Sequence, residues 1–139
     1  MYIYNTKIRL FHTDAANLIF FSNLFNIAHE CYEEFLEKSG FSIKEILNDN
    51  NFIIPVVHAE ADYLKPLRVG DKIEIKMSLN SSGKSSFILD FVLYNESGEK
   101  TATVKTVNVV IETKSKKPLK IPEKSVSYTH LTLPTTERV

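Results

Sequence analysis

Hydrophobic and polar positions alternate at the start of the chain, and this period of two predicts a strand over residues 2–11. We expect the buried face of this strand to hold Ile3, Ile8 and Leu10. From Ser22 the apolar positions follow the 3.6-residue period of a helix, which predicts a long helix over residues 22–38 with Ser22 as its N-cap. Gly40 follows at the place where a left-handed residue ends many helices.

From residue 52 onward the apolar positions return to a period of two. This pattern predicts four more strands, over residues 52–63, 72–80, 85–95 and 100–113. Runs rich in Ser, Asn and Gly between them predict hairpin turns, and capping-box spacing from Ser42 predicts a short second helix before them. The order of elements indicates an α+β domain in which a curved antiparallel sheet with one wet face surrounds one long helix.

Length and charge narrow the class of protein. A chain of 139 residues fits one domain with a hydrophobic core, and its 17 basic and 17 acidic residues create no net field that attracts nucleic acid or a membrane surface. We therefore expect a small-molecule partner. The sequence has neither a signal-peptide pattern nor the ~20 consecutive apolar residues that span a bilayer. The lone Cys31 cannot form an internal disulfide and is expected to be a packed thiol. Together with the absence of these targeting patterns, the lone cysteine predicts a cytoplasmic protein.

The end of the chain changes character twice. We expect the folded domain to cover residues 1–113, because residues 114–125 are rich in Lys and Pro and predict a solvated tail. Residues 126–139 begin with VSYTHLTLPT, which resembles the in-frame translation of a transposon-type sequencing adapter, so we expect this segment to be non-native. The alternative is a natural terminal strand. On either reading the segment, including His130, is assigned no function.

One carboxylate, Asp14, lies in the nearly uncharged, aromatic-rich stretch that joins the first strand to the long helix. A connection of this kind can direct backbone N–H groups and the positive end of a helix dipole at a polar ligand or a developing oxyanion. A carboxylate beside it can attack an acyl carbonyl or deprotonate a water that does so. The alternative is an ordinary turn or N-cap residue, for which Asp is also favoured. We expect a hydrolytic site at Asp14.

Two segments resemble the hotdog-fold thioesterases of the 4-hydroxybenzoyl-CoA thioesterase type. Residues 13–23 read TDAANLIFFSN, and residues 58–71 read HAEADYLKPLRVGD, a strand followed by a Pro-containing turn and a Gly-Asp entry into the next strand. The resemblance extends over residues 1–113 and implies a hotdog fold, in which a curved antiparallel sheet wraps around one long helix. It also implies that two sheets join edge to edge, so we expect a homodimer or homotetramer.

The resemblance also implies roles for individual residues. It makes Asp14 the catalytic carboxylate, either as a nucleophile that forms an acyl-enzyme anhydride or as a general base, and makes the backbone N–H of Phe21 the oxyanion donor. Asn17 stands where many relatives have Gly. His12 is a possible auxiliary residue that orients Asp14 or a water, with a structural role as the alternative. Glu30 is a second candidate carboxylate, because another branch of hotdog thioesterases uses a glutamate on the helix.

The phosphates of coenzyme A need cations or N–H groups. Lys65 and Arg68 lie in a predicted turn at a strand end, and Lys84, Ser85 and Ser86 match the place where relatives often hold the nucleotide. Ordinary surface positions are the alternative for each of these residues. The sequence has no spacing typical of a zinc site, so we expect no metal and no cofactor apart from the coenzyme A thioester itself.

These observations predict an acyl-CoA thioesterase. Its first expected substrate class is an aromatic acyl group, such as a hydroxybenzoyl or dihydroxynaphthoyl thioester of quinone biosynthesis, and the second is a short or medium aliphatic acyl group. A non-catalytic hotdog module that binds an acyl thioester and a hotdog dehydratase built on His58 remain as alternatives. Acyl carrier protein is an alternative to coenzyme A as the thiol carrier.

Overall fold

A computed structural model of the chain describes residues 1–14, 18–19, 22–40 and 52–118. Within these ranges the chain forms one 16-residue helix, a short 3₁₀ turn and seven strands. In chain order they are β1 (Tyr2–Lys7), the 3₁₀ turn (Leu10–His12), α1 (Asn23–Lys38), β2 (Phe52–Ile53), β3 (Val56–Tyr63), β4 (Lys72–Ser82), β5 (Ser86–Tyr94), β6 (Lys100–Val109) and β7 (Ile111–Glu112).

Five of the strands form one antiparallel sheet in the order β1-β4-β5-β6-β3, and β2 pairs separately with β7. The two edges of the large sheet are therefore β1 and β3. The helix α1 packs against one face of this sheet, where it contacts β1, β3, β4 and β6. This arrangement confirms the predicted α+β class, with one long helix on an antiparallel sheet.

The core lies between α1 and the inner face of the sheet. Along β4 and β5 every second residue is buried, namely Ile73, Ile75, Met77, Leu79, Phe87, Leu89, Phe91 and Leu93. The buried stripe of α1 consists of Leu24, Ile27, Ala28, Cys31, Tyr32, Phe35 and Leu36. Because full burial of one large apolar side chain stabilises a fold by about 1.5–3 kcal/mol, these two stripes are what hold the helix on the sheet.

The two ends of α1 differ in how they are capped. Gly40 has a φ of +78°, which confirms the expected left-handed residue after the helix. Ser22 occupies the expected N-cap position before Asn23, although it has helical backbone angles and makes no side-chain hydrogen bond to the first turn. An N-cap residue normally has extended angles, which let its side chain reach the free N–H groups.

Two expectations for the first strand are wrong. β1 ends at Lys7 rather than at residue 11, because residues 10–12 form the 3₁₀ turn. Ile3 and Leu10 are 48% and 76% exposed, so that Ile8 is the buried member of the expected set. The strand register places Tyr2, Tyr4 and Thr6 opposite Met77, Ile75 and Ile73, toward the core. Ile3 therefore faces outward, and Leu10 lies beyond the strand, where its alternation no longer applies.

Two other predicted strands are each divided. The strand expected over residues 52–63 is divided into β2 and β3 at Ile54 and Pro55, because proline has no N–H to donate to a ladder. The strand expected over residues 100–113 is divided at Val110, whose N–H donates to the Ser85 carbonyl at 2.7 Å. The short strand β7 that follows then pairs with β2 rather than with the large sheet.

The remaining expectations concern segments at or beyond the limits of the described residues. The short helix expected from Ser42 and the segment 126–139 both lie outside them. Residues 114–118 are exposed, as expected for a solvated tail. The expected division of the chain into residues 1–113, 114–125 and 126–139 stays a prediction. In the described ranges, helices that combine the length and the apolar composition of a membrane-spanning segment are absent.

Candidate active site

Asp14 follows the 3₁₀ turn and is exposed. Its N–H donates to the Leu18 carbonyl at 2.9 Å, and the Leu18 N–H lies 3.4 Å from its carboxylate oxygen Oδ1. Thr13 and Ile19 form an isolated bridge beside these contacts, and we call the described residues Thr13, Asp14, Leu18 and Ile19 the Asp14 turn. These contacts hold the Asp14 backbone against Leu18 and leave the Asp14 side chain exposed.

This turn is docked on the connection between β3 and β4. The Ile19 N–H donates to the Leu67 carbonyl at 2.8 Å, and Leu18 forms an isolated bridge with Arg68. The Tyr63 hydroxyl, at the end of β3, donates to the Ile19 carbonyl at 2.6 Å. Tyr63 and Ile19 are 44 positions apart in the chain and belong to the two different segments that carry the family resemblance. These two segments therefore meet at the Asp14 turn.

A cavity of about 370 Å³ opens beside Asp14. Its lining consists of Asp14, Leu18, Ile19, Tyr63, Leu64, Lys65, Pro66 and Leu67. The walls are mostly apolar, and Asp14 supplies the carboxylate. Sites that hold small molecules are of this kind, with apolar walls and a few placed polar groups. We call this space the Asp14 cavity.

Tyr63 is a residue of this site that sequence reasoning missed. Burial, and then the negative charge of Asp14, raise the pKa of its hydroxyl above the usual 10.0. The hydroxyl therefore stays protonated at neutral pH and remains a donor to the Ile19 carbonyl. The signal available in the sequence was its position at the end of the second resembling segment, directly before the predicted turn.

His12 is buried and holds the turn that precedes Asp14. Its Nδ1 accepts the Arg9 N–H at 2.9 Å, and its carbonyl accepts the side-chain amide of Asn23, in the first turn of α1, at 2.9 Å. Burial, with a smaller contribution from Arg9, lowers the His12 pKa, although the charge of Glu30 acts in the opposite direction. The imidazole, as an acceptor at Nδ1, closes the 3₁₀ turn, and the backbone carbonyl of His12 joins that turn to α1, so these contacts support the structural alternative for His12.

Glu30 faces the opposite edge of the sheet from the Asp14 cavity. The hydroxyl of Tyr4, in edge strand β1, lies 3.4 Å from the Glu30 carboxylate. Burial and then Glu30 raise the Tyr4 pKa, which keeps that hydroxyl protonated. The Asp14 cavity is lined by the end of β3, which forms the other edge.

Two of the predicted coenzyme A residues lie near Asp14. Lys65 lines the Asp14 cavity and forms a 2.8 Å ion pair with Glu99, whose pKa it lowers together with Asn95. Arg68 comes directly after the cavity wall in the chain, and its backbone N–H donates to the Asp71 carboxylate at 2.8 Å. The β3–β4 connection thus brings the Lys65 side chain and the Arg68 backbone to the side of the site where the Asp14 turn docks.

Lys84, Ser85 and Ser86 are not brought to Asp14 within one chain. They form the hairpin between β4 and β5, and β4 is 11 residues long. At 3.3 Å per residue this strand separates the hairpin from the Asp14 end of the sheet by about 33 Å. Phe21, the predicted oxyanion donor, and Asn17, a possible auxiliary residue, lie outside the described residues.

Metal and thiol chemistry receive no support from the residues that the structure covers. Groups of three or more His, Cys, Asp or Glu side chains suited to a metal ion are absent from the described ranges. Cys31 is fully buried, and burial followed by the charge of Glu34 raises its pKa to about 12. It is therefore the packed thiol that the sequence predicted, since only the thiolate is a nucleophile.

A second cavity, of about 350 Å³, lies between α1 and the other end of β3 and was not expected from the sequence. Its lining consists of Phe25, Asn26, His29, Tyr32, Ile54, Pro55, Val56, Ala59, Phe91, Thr106 and Asn108. We call it the helix cavity. It combines an aromatic, apolar wall with several uncharged polar groups.

The sequence and the fold both have known relatives. A family model described as "Thioesterase-like superfamily" matches residues 8–127. The chain is 34% identical over 130 residues to a 1,4-dihydroxy-2-naphthoyl-CoA hydrolase of Gloeothece citriformis, a match that covers 92% of this chain and 91% of the relative.

Two solved structures show the same fold. A 1,4-dihydroxy-2-naphthoyl-CoA thioesterase from Synechocystis superposes with a TM-score of 0.89 at 25% identity, covering 96% of this chain and 98% of the other. A gentisyl-coenzyme A thioesterase superposes with a TM-score of 0.80 at 25% identity, covering 91% and 98%. These likenesses confirm the expected arrangement of sheet and helix.

Proposed function

The chain belongs to the thioesterase-like superfamily, whose hotdog fold it has, and we propose that it hydrolyses an aromatic acyl-CoA thioester through Asp14. That the protein is a thioester hydrolase follows from its relatives, whereas the acyl group and the catalytic residue are our proposal. The observation that carries it is the exposed Asp14 carboxylate beside a mostly apolar cavity, where the two resembling segments meet.

In this proposal Asp14 acts on the thioester carbonyl in one of two ways. As a nucleophile, its carboxylate oxygen bonds to the acyl carbon, the C–S bond breaks, coenzyme A leaves as the thiolate, and water then hydrolyses the anhydride. As a general base, it takes a proton from the water that attacks the same carbon, the C–S bond breaks, and the departing thiolate takes up the proton. The Phe21 N–H is the proposed donor to the oxyanion, and no cofactor is required.

For the acyl group we propose 1,4-dihydroxy-2-naphthoyl first, which would place the reaction in quinone biosynthesis. The support is that relatives covering nearly the whole chain are named for this thioester, and that another structural neighbour is named for gentisyl-coenzyme A, also an aromatic thioester. The helix cavity adds chemical support, because its aromatic wall and uncharged polar groups suit a hydroxylated ring. Aliphatic acyl groups are the second candidate.

We further propose that the protein is a dimer, or a tetramer of two such dimers, formed along β3. This edge strand leaves one side of its backbone without a neighbouring strand in the described chain, and its apolar Val56, Val57 and Tyr63 are 41%, 56% and 43% exposed. Such an edge favours pairing with a second copy. A two-fold axis pairs the strand antiparallel with itself, so the Tyr63 end of one copy lies beside the Val56 end of the other.

Pairing of this kind joins features that one chain keeps apart. The Asp14 cavity borders the Tyr63 end of β3, and the helix cavity borders the Val56 end. The dimer would therefore bring the Asp14 carboxylate of one copy toward the helix cavity of its partner, as a substrate with a large ring requires. Lys65 and Arg68 are the proposed coenzyme A contacts from the same chain as Asp14. A role for Lys84, Ser85 and Ser86 would require the partner.

The test is thiol release from a panel of acyl-CoAs, covering dihydroxynaphthoyl, hydroxybenzoyl and aliphatic acyl groups. We expect Asp14→Asn to lower turnover at least about a hundredfold, because a general base usually accelerates a reaction about 10²- to 10⁴-fold. The amide keeps the oxygen that faces the Leu18 N–H, so the fold should persist. Asp90→Asn, on β5 and outside the lining of the Asp14 cavity, is the matched control, because the amide keeps an oxygen that can accept from the Asn80 side chain.

Two results would overturn the proposal. Equal activity of wild type and Asp14→Asn would remove the catalytic role of Asp14, and loss of activity in Glu30→Gln instead would move it to the helix. A wild-type protein that binds acyl-CoA tightly and releases no thiol would be a binding module rather than an enzyme.

A further inference from the structure

A series of hydrogen bonds in the 3₁₀ turn leads along the chain to Asp14. The imidazole Nδ1 of His12 accepts the Arg9 N–H at 2.9 Å and closes the turn. The Thr13 N–H donates to the Leu10 carbonyl of the same turn at 3.1 Å, and Asp14 follows Thr13 directly. The backbone that precedes Asp14 is therefore fixed, and the bond at Nδ1 depends on a side chain that can gain a charge.

The bond at Nδ1 exists in only one charge state of the imidazole. To accept the Arg9 N–H, Nδ1 needs its lone pair, so the proton of the neutral ring is on Nε2. A second proton would bind to Nδ1 and make it a donor that faces the Arg9 N–H, which is also a donor. The turn is therefore closed at Arg9 while His12 is neutral, and it loses this bond when His12 is protonated.

The first turn of α1 holds the same residue through its backbone. The Asn23 side-chain amide donates to the His12 carbonyl at 2.9 Å. The Asn23 side-chain oxygen accepts the Asn26 amide at 2.7 Å, which fixes the orientation of the Asn23 amide group. Because the buried stripe of α1 holds the helix on the sheet, a change at His12 alters the position of Asp14 relative to the core.

The surroundings of His12 oppose its protonation. His12 is 1% exposed, and its Nε2 has no hydrogen-bond partner among the described residues. The charged groups that act on it within the described ranges are Glu30 from α1, which favours the imidazolium, and Arg9 from its own turn, which disfavours it. Burial is the largest cause, and the net effect lowers the His12 pKa below the usual 6.5. His12 is therefore neutral at neutral pH and takes up a proton only in acid.

We propose that His12 is a positioning residue for Asp14, whose neutral imidazole holds the turn that leads to the carboxylate and whose protonation releases it. This inference rests on the proposed function for the role of Asp14 in turnover. Hydrolysis then requires an ionised Asp14 and a neutral His12 at the same time. The enzyme therefore loses activity in acid more steeply than one carboxylate alone would cause.

Two substitutions separate the hydrogen bond from the charge. His12 is the third residue of the turn that Arg9 caps, and Gln at that position of a capping box accepts the N–H of the cap residue. His12→Gln therefore keeps an acceptor and does not titrate. His12→Leu fills the buried position with an apolar side chain and accepts no hydrogen bond. His58→Gln, which removes an exposed histidine of β3, is the control for the loss of a histidine elsewhere.

The first measurement does not depend on turnover. NMR of the imidazole nitrogens gives the tautomer of His12 and the midpoint of its titration, and NMR of the backbone amides follows Arg9 and Asp14 over the same pH range. We expect the Nε2–H tautomer at neutral pH. The Arg9 and Asp14 amide signals should show a transition at the His12 midpoint in the wild type, and this transition should be absent in His12→Gln.

The second measurement is the pH dependence of kcat, with released thiol determined in quenched samples and with circular dichroism confirming that each protein is folded at each pH. The ratio of the His12→Gln rate to the wild-type rate should rise about twofold at the His12 midpoint and about tenfold one pH unit below it, because half and then about a tenth of the wild type has a neutral His12. His58→Gln should keep the wild-type profile. At neutral pH, His12→Leu should lower kcat about tenfold and leave KM unchanged, since a small displacement of a reacting group costs this much.

Three results would overturn the positioning role of His12. They are a rate ratio that stays constant through the His12 midpoint, a wild-type kcat in His12→Leu, and a change of profile in His58→Gln equal to that in His12→Gln. The proposed function can fail separately. Amide signals of Arg9 and Asp14 that follow His12, in a protein whose turnover does not depend on Asp14, would support the hold of His12 on the turn and overturn only the proposed function.

Discussion

The hydroxyl of Tyr63 is the side-chain group that ties the Asp14 turn to the end of β3, and Tyr63→Phe removes only that group. In the wild type it donates to the Ile19 carbonyl at 2.6 Å. Ile19 is 4% exposed, so its carbonyl lies in a largely buried segment, whereas the Tyr63 side chain itself borders the cavity. The substitution therefore leaves the cavity wall in place and releases one contact of the turn.

The size of the effect follows from this geometry. A buried acceptor that loses its donor costs about 1–3 kcal/mol, and partial exposure of Tyr63 places this bond at the lower limit, about 1 kcal/mol. A loss of that size changes an equilibrium about fivefold. Because a reacting group displaced by about 1 Å can lose up to a hundredfold in rate, we expect kcat to fall about five- to tenfold while KM stays unchanged.

The assay combines thiol-release kinetics with thermal unfolding, and Tyr2→Phe is the control. The Tyr2 hydroxyl is buried without a hydrogen-bond partner among the described residues, so the same chemical change there removes no bond. Because burial and Asp14 raise the Tyr63 pKa above 10.0, its hydroxyl stays protonated, and the ratio of wild-type to variant rates should be constant from about pH 6 to 9. A kcat for Tyr63→Phe that equals the kcat for Tyr2→Phe would refute the positioning of Asp14 by Tyr63.

Two further predictions concern His12 and the β3 edge. Burial lowers the His12 pKa, so the unfolded chain binds more protons than the folded chain as the pH falls below 6.5. His12 therefore favours folding least in acid, and urea unfolding should show a loss of stability below pH 6.5 that is smaller in His12→Gln; an identical loss in both proteins would contradict this. Val57→Lys places a charge on an exposed apolar position of the proposed dimer edge and should give a monomer in analytical ultracentrifugation, with reduced turnover. A dimer of full activity would show that the subunits associate elsewhere.

Local patterns in the sequence were enough for the elements, because each element buries one face. The alternation along β4 and β5 and the helical stripe of α1 both reappear as the buried residues of the core. The same reasoning failed at β1, where one period was extended through residues 10–12 although the chain leaves the sheet after Lys7. A period of two predicts the face of a residue only while the strand continues, and the sequence around Ile8 has no glycine or proline to mark its end.

The site was predictable only to the level of Asp14, because its surroundings are assembled from distant parts of the chain. Tyr63 reaches the Asp14 turn through a hydrogen bond between residues 44 positions apart, which no local period encodes. The coenzyme A candidates divide for the same reason. Lys65 lies in the connection that crosses the end of the sheet beside Asp14, while Lys84 lies in a hairpin at the other end, although both read as cations in turns.

The order of strands explains why one carboxylate can serve a long substrate. Because β3 is an edge of the large sheet, the Asp14 cavity at its Tyr63 end is open toward the second copy in the proposed dimer. The apolar acyl group and the charged nucleotide of a coenzyme A thioester need surroundings of opposite polarity on either side of the carbonyl. In the proposed dimer the helix cavity of the partner lies on the acyl side of Asp14, so variants in the helix cavity should change which acyl group is hydrolysed.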